Sequence, residues 1–231
     1  MINVAIDGPA GAGKSTISRR AAATLGFIYI DTGALYRTVG LHALRLGADT
    51  GDPAAVESCL TDDLHVELRF VDGEQRMFLN DEDVSEAIRT PEASLAASAV
   101  SAVPAVRAYL FDLQKQLAHE NNCIMDGRDI GTVVLPDAQV KIFLTASPEA
   151  RAERRFEELQ KKGMDVKFED VLADMIQRDY NDSHRAIAPL TPPAPPRKRN
   201  ARMPQVIIAA YSSTIFRMPT LPAPFAPPKI T

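Results

Sequence analysis

Eight residues near the start of the chain, Gly8-Pro9-Ala10-Gly11-Ala12-Gly13-Lys14-Ser15, fit the phosphate-loop pattern G-x-x-x-x-G-K-[ST] and constrain the fold more than any other stretch. They follow the apolar run Ile2-Asn3-Val4-Ala5-Ile6 and precede Thr16 to Leu25, which reads as a helix. A strand, a glycine loop and a helix in that order predict an α/β protein with a parallel sheet. The glycines let backbone N–H groups close around a polyphosphate without interference from Cβ atoms, and the helix N-terminus adds favourable partial charge. Lys14 is expected to reach the β and γ phosphates of a nucleoside triphosphate, and the Ser15 hydroxyl to help hold Mg²⁺. A plain glycine turn with a solvent-facing lysine would leave the agreement of strand, spacing, Lys and Ser unexplained.

The 231 residues, 45% hydrophobic and 24% charged, allow one large or two small domains with a core of their own. A formal net charge of −4 argues against a broad nucleic-acid-binding surface. Cys59 and Cys123 lack metal-site spacing and read as buried thiols; His42, His65, His119 and His184 form no ligand pattern. No apolar run approaches a membrane span, and the N-terminal one is too short for a signal peptide, so a cytoplasmic protein is expected. Charge is unevenly spread. Residues 191–231 hold no Asp or Glu, six Lys or Arg and ten of the 17 prolines, which marks a boundary or a tail of different origin.

Phe27-Ile28-Tyr29-Ile30 reads as a second strand, and Asp31-Thr32-Gly33 opens a helix to about Leu46. His65 to Val71 and Gln75 to Leu79 flank Asp72-Gly73, a hairpin signal. Helices over roughly Pro91–Ser101 and Val103–His119 follow, so an α+β segment interrupts the α/β pattern. That pattern resumes with Cys123-Ile124-Met125-Asp126, a strand whose final carboxylate is placed to organise Mg²⁺ through water, although Asp at a strand end also serves ordinary turns. Gln139 to Thr145 is a further strand. Ser147-Pro148 begins a helix with a good N-cap, Gly163 closes it, and Phe168 to Tyr180 forms another. Helical pitch puts Arg151, Arg154 and Arg155 on one face. With Glu153, Glu157 and Glu158 beside them they suit a solvated surface; the functional alternative is a mobile lid that brings arginines onto transferring phosphates. No Ser/His/Asp or Cys/His arrangement competes.

The chain resembles the bacterial cytidylate (CMP) kinases, a family of nucleoside monophosphate kinases. The resemblance rests on Ile6-Asp7-Gly8-Pro9 with the glycine loop, Asp31-Thr32-Gly33-Ala34-Leu35-Tyr36-Arg37, Asp83-Val84-Ser85 through Ile88-Arg89-Thr90, Asp126-Gly127-Arg128-Asp129-Ile130-Gly131-Thr132-Val133-Val134, and Arg178-Asp179 through Arg185-Ala186-Ile187-Ala188-Pro189-Leu190. It covers about residues 1–190. It implies a P-loop core (1–61 and 119–190), an inserted monophosphate-binding region (62–118) and a helical lid (about 151–168). It also implies ATP as co-substrate, Mg²⁺, CMP or dCMP as acceptor, a place in pyrimidine nucleotide metabolism, and a monomer without nucleic-acid or membrane partners. On that resemblance Gly8, Pro9, Ala10, Gly11, Ala12, Gly13, Lys14, Ser15 and Thr16, with Arg151, Arg154 and Arg155, hold ATP. Arg37 and Arg128 hold the acceptor phosphate, and Arg178 and Arg185 draw the two phosphates together, so that Lys14, Arg128, Arg178 and Arg185 form the catalytic set. Thr32 and Asp182 contact the acceptor ribose, and Ser98, Arg107 and Asp129 read the base.

Cytosine offers an amino donor at C4 beside acceptors at N3 and O2. A carboxylate such as Asp129 accepts from the amino group and a guanidinium such as Arg107 donates to the acceptors, whereas uracil would turn a carbonyl toward the carboxylate. An unpaired buried polar group costs about 1–3 kcal/mol, so roughly 10–100-fold discrimination against UMP is expected. Each residue also has an ordinary structural reading: Arg107 as a surface helix arginine, Asp129 as a turn residue or cap, Arg37 as an ion-pair partner, Ser98 as packing in an Ala/Ser-rich helix, and Arg178 and Arg185 as partners of the nearby acids.

The resemblance stops after Pro189-Leu190. Family members continue with an acidic linker, an apolar strand beside the P-loop strand and a closing helix; this chain continues Thr191-Pro192-Pro193-Ala194-Pro195-Pro196-Arg197-Lys198-Arg199. Such a shift to Pro, Ala and Arg is what a GC-rich gene yields in the wrong frame, and a frameshift near codon 190 is one reading; a genuine disordered tail or a proline-rich ligand for a partner are the others. The tail is expected to be poorly ordered, although Val206 to Tyr211 is apolar and long enough to stand in for the missing strand. A nucleotide-binding protein with impaired turnover, or a kinase for another monophosphate such as UMP, are the alternative functions.

Overall fold

The computed structural model describes residues 1–71 and 74–192 and the backbone of 205–210. β1 (Asn3–Asp7) passes through the glycine loop into α1 (Lys14–Leu25), and β2 (Ile28–Asp31), α2 (Thr32–Arg45) and a short α3 (Pro53–Ser58) follow. Next come β3 (Val66–Val71), β4 (Glu74–Leu79) and the two-residue β5 (Glu82–Asp83), then a 3-10 turn (Ala87–Arg89), α4 (Pro91–Val100) and α5 (Pro104–Glu120). After β6 (Cys123–Gly127) lie a π-helical turn (Ile130–Val134), β7 (Val140–Thr145), α6 (Pro148–Lys161), α7 (Phe168–His184) and β8 (Gln205–Ala210).

The main sheet has the order β2-β6-β1-β7-β8 and is parallel throughout. Both faces of β1 are covered, which is why its sequence is a continuous apolar run. Successive side chains go to opposite faces: Val4 and Ile6 pack with Ala22, Ile124 and Leu144, and Ala5 packs with Ile30, Leu35 and Met125. β3, β4 and β5 form a separate antiparallel sheet, yet Leu68, Met77 and Leu79 from it share one core with Leu35 and Val39 of α2 and Leu110 of α5. The inserted segment therefore leans on the P-loop core rather than enclosing its own. The small residues of α4 have a clear cause, since a Cβ at Gly40 of α2 would stand 3.0 Å from both Ala96 Cβ and Ala97 N. Helices α6 and α7 meet over a smaller cluster around Ala152, Leu159 and Val171, where Phe156 and Phe168 pack edge to face.

Several local expectations change. Helix α7 runs to His184, four residues past the expected end, because tertiary contacts of Asp179 and Asp182 compensate for a run of weak helix formers. Six-residue α3, two-residue β5 and the π-helical turn are too short to show a period. The expected stand-in strand is present as Gln205–Ala210, paired in register from Val140↔Gln205 to Thr145↔Ala210. It lies outside β7, however, and not beside the P-loop strand, whose neighbours are β6 and β7. Asp72-Gly73, Tyr211 and the rest of the tail beyond Pro192 lie outside the described residues. No single helix among the described residues is long and apolar enough to cross a membrane.

Candidate active site

The glycine loop is built from conformations that side chains resist. Gly11 and Gly13 have φ of +70° and +90°, and a Cβ on Gly8 would lie 1.9 Å from the Leu144 carbonyl oxygen. That close approach ties the loop to β7. Lys14 Nζ folds back to donate to the Pro9 carbonyl at 2.8 Å. Burial, and then the charge of Arg128, push the Lys14 pKa down, a strain that a polyphosphate would relieve.

Ser15 Oγ donates to Asp126 Oδ2 at 3.0 Å, and the Tyr29 hydroxyl donates to the same oxygen at 3.3 Å. Burial, then the neighbouring Asp31, raise the Asp126 pKa. A hydroxyl and a carboxylate oxygen side by side form an all-oxygen donor pair, which suits a small hard cation that takes its remaining ligands from phosphate and water. Among the described residues no group of three or more His, Cys, Asp or Glu is arranged to hold a metal by itself. Residues present therefore fit Mg²⁺ arriving with a nucleotide.

A cavity of about 510 Å³ extends from residues 10–16 across Arg128 and Arg178 to Ser98, Asp129 and Arg185. Eight cationic side chains and five carboxylates line it, a positive excess inside a chain of net charge −4, as a polyanionic ligand requires. Arg128 Nε is paired with Asp182 Oδ2 at 2.7 Å. Arg178 Nη2 donates to the Ser94 carbonyl at 3.4 Å, joining α7 to α4. Burial, and then the like charge of Arg128, lower the Arg178 pKa. Arg128 and Arg178 thus put two like charges in one desolvated cleft. At the far end Asp129 accepts from Arg107 through one oxygen and from Arg185 Nη2 through the other at 3.3 Å.

Most expected site residues meet at this cavity, but their postures differ from the expectation in four places. Arg151 is no surface lid residue: it is 2% exposed, paired bidentately with Asp179, and donates to the carbonyls of Ala10 and Ala146. It braces the loop against α6 and α7, because a buried guanidinium must satisfy its donors within the protein. Arg107 lies behind Asp129 and off the cavity wall, also donating to the Ser101 carbonyl at 3.4 Å. The Thr32 hydroxyl is spent on the Asp126 carbonyl at 2.7 Å. Gly8 and Pro9 shape the loop from below without lining the cavity. By contrast Arg154 and Arg155 line the glycine-loop end, Arg154 Nη1 standing 3.6 Å from where a Gly13 Cβ would be, and Arg155 pairing with Glu158 at 3.3 Å. Arg37 is ion-paired to Asp31 at 2.9 Å, and Ser98 lines the far end from α4.

Sequence reasoning assigned no site role to Asp7, Tyr36 or Asp179, and read Asp31 only as the start of a helix. Asp31 caps α2 by accepting from Ala34 N at 3.1 Å, a role that its position before Thr32-Gly33 signals. Tyr36 lines the cavity with the Arg107 guanidinium 5.9 Å from its ring centroid. Asp7 and Asp179 carry no local signal, since their partners lie far along the chain.

Comparison with known proteins shows the family. The family model described as cytidylate kinase matches residues 4–195. The chain is 52% identical over 189 residues to a cytidylate kinase from Caldicellulosiruptor bescii, covering 82% of this chain and 83% of that one. It is 51% identical over 190 residues to a cytidylate kinase from Mycobacterium leprae, covering 82% and 83%. Among solved structures it is similar to shikimate kinase from Bacteroides thetaiotaomicron, at 15% identity, 80% coverage of each chain and a TM-score of 0.39. With the phosphate loop, its paired Ser15 and Asp126, and the arginine-lined cavity in one place, and with half of its residues shared across most of its length, this chain belongs to the cytidylate kinase family.

Proposed function

We propose that this chain transfers the γ-phosphoryl group of ATP to the phosphate of CMP or dCMP, giving CDP or dCDP, in the cytoplasm. One observation carries the reading beyond family membership. A single cavity has the glycine loop at one end, a carboxylate held by Arg185 and backed by Arg107 at the other, and Arg128 and Arg178 between them. That spacing suits two nucleotides meeting phosphate to phosphate. Mg²⁺ at Ser15 and Asp126, bound with the donor, would neutralise charge on its phosphates.

The chain's own residues do the rest. Backbone N–H groups of residues 10–16 bind the donor's phosphate tail, and Lys14 swings from the Pro9 carbonyl toward it. Arg37 and Arg128 orient the acceptor phosphate, exchanging part of their pairing with Asp31 and Asp182 for it. Arg178 and Arg185 bring the reacting oxygens into line and stabilise charge in the transition state, which is most of what phosphoryl transfer asks of a protein. Arg154 and Arg155, on α6, cover the donor, and their approach excludes the water that would hydrolyse ATP. Asp129 accepts from the cytosine amino group.

The test is coupled ADP release with Mg-ATP and CMP, dCMP, UMP or AMP in turn, repeated for Asp129→Ala. Turnover is expected to be strongest with CMP and dCMP, and the variant should flatten that preference. Equal loss for every acceptor in the variant would contradict the base assignment. Silence with all acceptors would leave a protein that binds without transferring.

A further inference from the structure

The strand that leads into the glycine loop ends on a carboxylate, Asp7, to which the proposed transfer assigns no role. Asp7 is 1% exposed; its Oδ1 accepts from Ile130 N at 2.7 Å and its Oδ2 from Gly131 N at 2.8 Å. Those two amides open the π-helical turn. The bonds made inside the turn come from later residues, Val134 N to the Asp129 carbonyl and Leu135 N to the Ile130 carbonyl. The first amides therefore lack partners within the turn, and in a buried setting they must find them elsewhere.

Asp129 immediately precedes them, with φ −143° and ψ 24°, outside the main backbone basins. Its carboxylate is gripped by Arg107 and Arg185. The chain is thus held on both sides of this residue: the side chain by two guanidiniums, and the backbone just after it by Asp7. Two converging N–H donors call for acceptors on both oxygens, which a carboxylate has and an amide lacks.

We infer that Asp7 is a positioning residue for acceptor-base recognition: by holding the Ile130 and Gly131 amides it aims the Asp129 carboxylate and so sets the preference for cytosine over uracil. The inference rests on the reading of Asp129 as the group that accepts from the base. Asp7 does not line the cavity, and it joins the strand that feeds the phosphate loop to the segment that carries Asp129, 123 residues away in sequence.

Asp7→Asn tests this in steady-state kinetics with Mg-ATP and either CMP or UMP. One amide of the turn then faces an NH₂ group. The CMP/UMP ratio of kcat/KM should fall about tenfold, as expected for losing one hydrogen bond to a charged acceptor, while KM for ATP stays within twofold. In the double variant with Asp129→Asn the ratio should equal that of Asp129→Asn alone, because Asp7 acts through Asp129. An unchanged ratio in Asp7→Asn, or a loss confined to ATP affinity, overturns the inference. Should Asp7→Asn not fold, Gly131→Ala presses on the same contact, its Cβ falling 3.2 Å from Asp7 Oδ2. A shift of the ratio of about threefold in the same direction supports the inference, and no shift overturns it. A wild-type chain that does not prefer CMP to UMP would instead defeat the reading of Asp129 itself.

Discussion

Arg151→Met separates a brace from a phosphate ligand. In the folded chain Arg151 is 2% exposed and gives up its donors to Asp179 and to the carbonyls of Ala10 and Ala146. Methionine fills most of the same volume, so the cost comes chiefly from what is left behind: Asp179 without its cation and two carbonyls without donors. Removing one partner of a buried pair costs about 3–5 kcal/mol, and the 25% exposure of the Asp179 side chain places this case near 3. For a chain of this length each kcal/mol moves the melting temperature by roughly 2–4 °C, so a drop of about 6–12 °C is expected. Urea unfolding and a thermal melt measure it. Adding Asp179→Leu should recover part of the loss, since no unpaired charge then remains. A variant that melts within 2 °C of wild type yet loses most of its turnover would refute the brace and restore Arg151 to the phosphates.

Three further outcomes are expected. Gln75→Ala removes the acceptor for Asp31 N at 2.8 Å, which ties the inserted hairpin to the edge of the main sheet beside Arg37; about 1 kcal/mol of stability and about a threefold rise in KM for CMP should follow, with KM for ATP unmoved in the same assay. Ending the chain at Leu190 removes β8 and leaves the β7 edge open, so the truncated protein should melt lower and aggregate on heating, by turbidity; an unchanged melt would make the tail an appendage. Burial raises the Asp7 pKa from 3.8 to about 6 against the two backbone hydrogen bonds that lower it. The folded chain then binds this proton more tightly than the unfolded one, so the stability Asp7 contributes is greatest below pH 4 and falls by about 3 kcal/mol as pH rises to 6 and above. Urea unfolding at pH 4 and pH 7 should show wild type losing that much relative to Asp7→Asn, and parallel profiles would refute it.

Much of the site was legible in the chain itself. The glycine loop, the Asp31 cap and the Ser147-Pro148 helix start are local devices whose partners lie within a few residues, so residue type and spacing suffice to find them. Arg37, Arg128, Arg178 and Arg185 were found as a set through family blocks, and the cavity gathers all four. What the chain could not display is the posture of each arginine. Arg151, Arg154 and Arg155 share one helix and similar neighbours, yet Arg151 is buried against Asp179 and Arg155 is half exposed. Helical pitch says which residues share a face; it does not say what packs against that face.

The sequence by itself determined most of the element types and the parallel α/β class, because apolar period, glycine placement and capping act over one or two turns of chain. Tertiary structure alone decided the rest. It placed β8 outside β7 rather than against β1, set Asp7 on amides 123 and 124 residues away, and buried Arg151, expected on a lid, against Asp179 at the cavity wall. The reason is physical: a buried charge or an unpaired backbone group takes whichever partner folding brings within about 3 Å, and that choice depends on packing across the whole chain rather than on its neighbours in sequence.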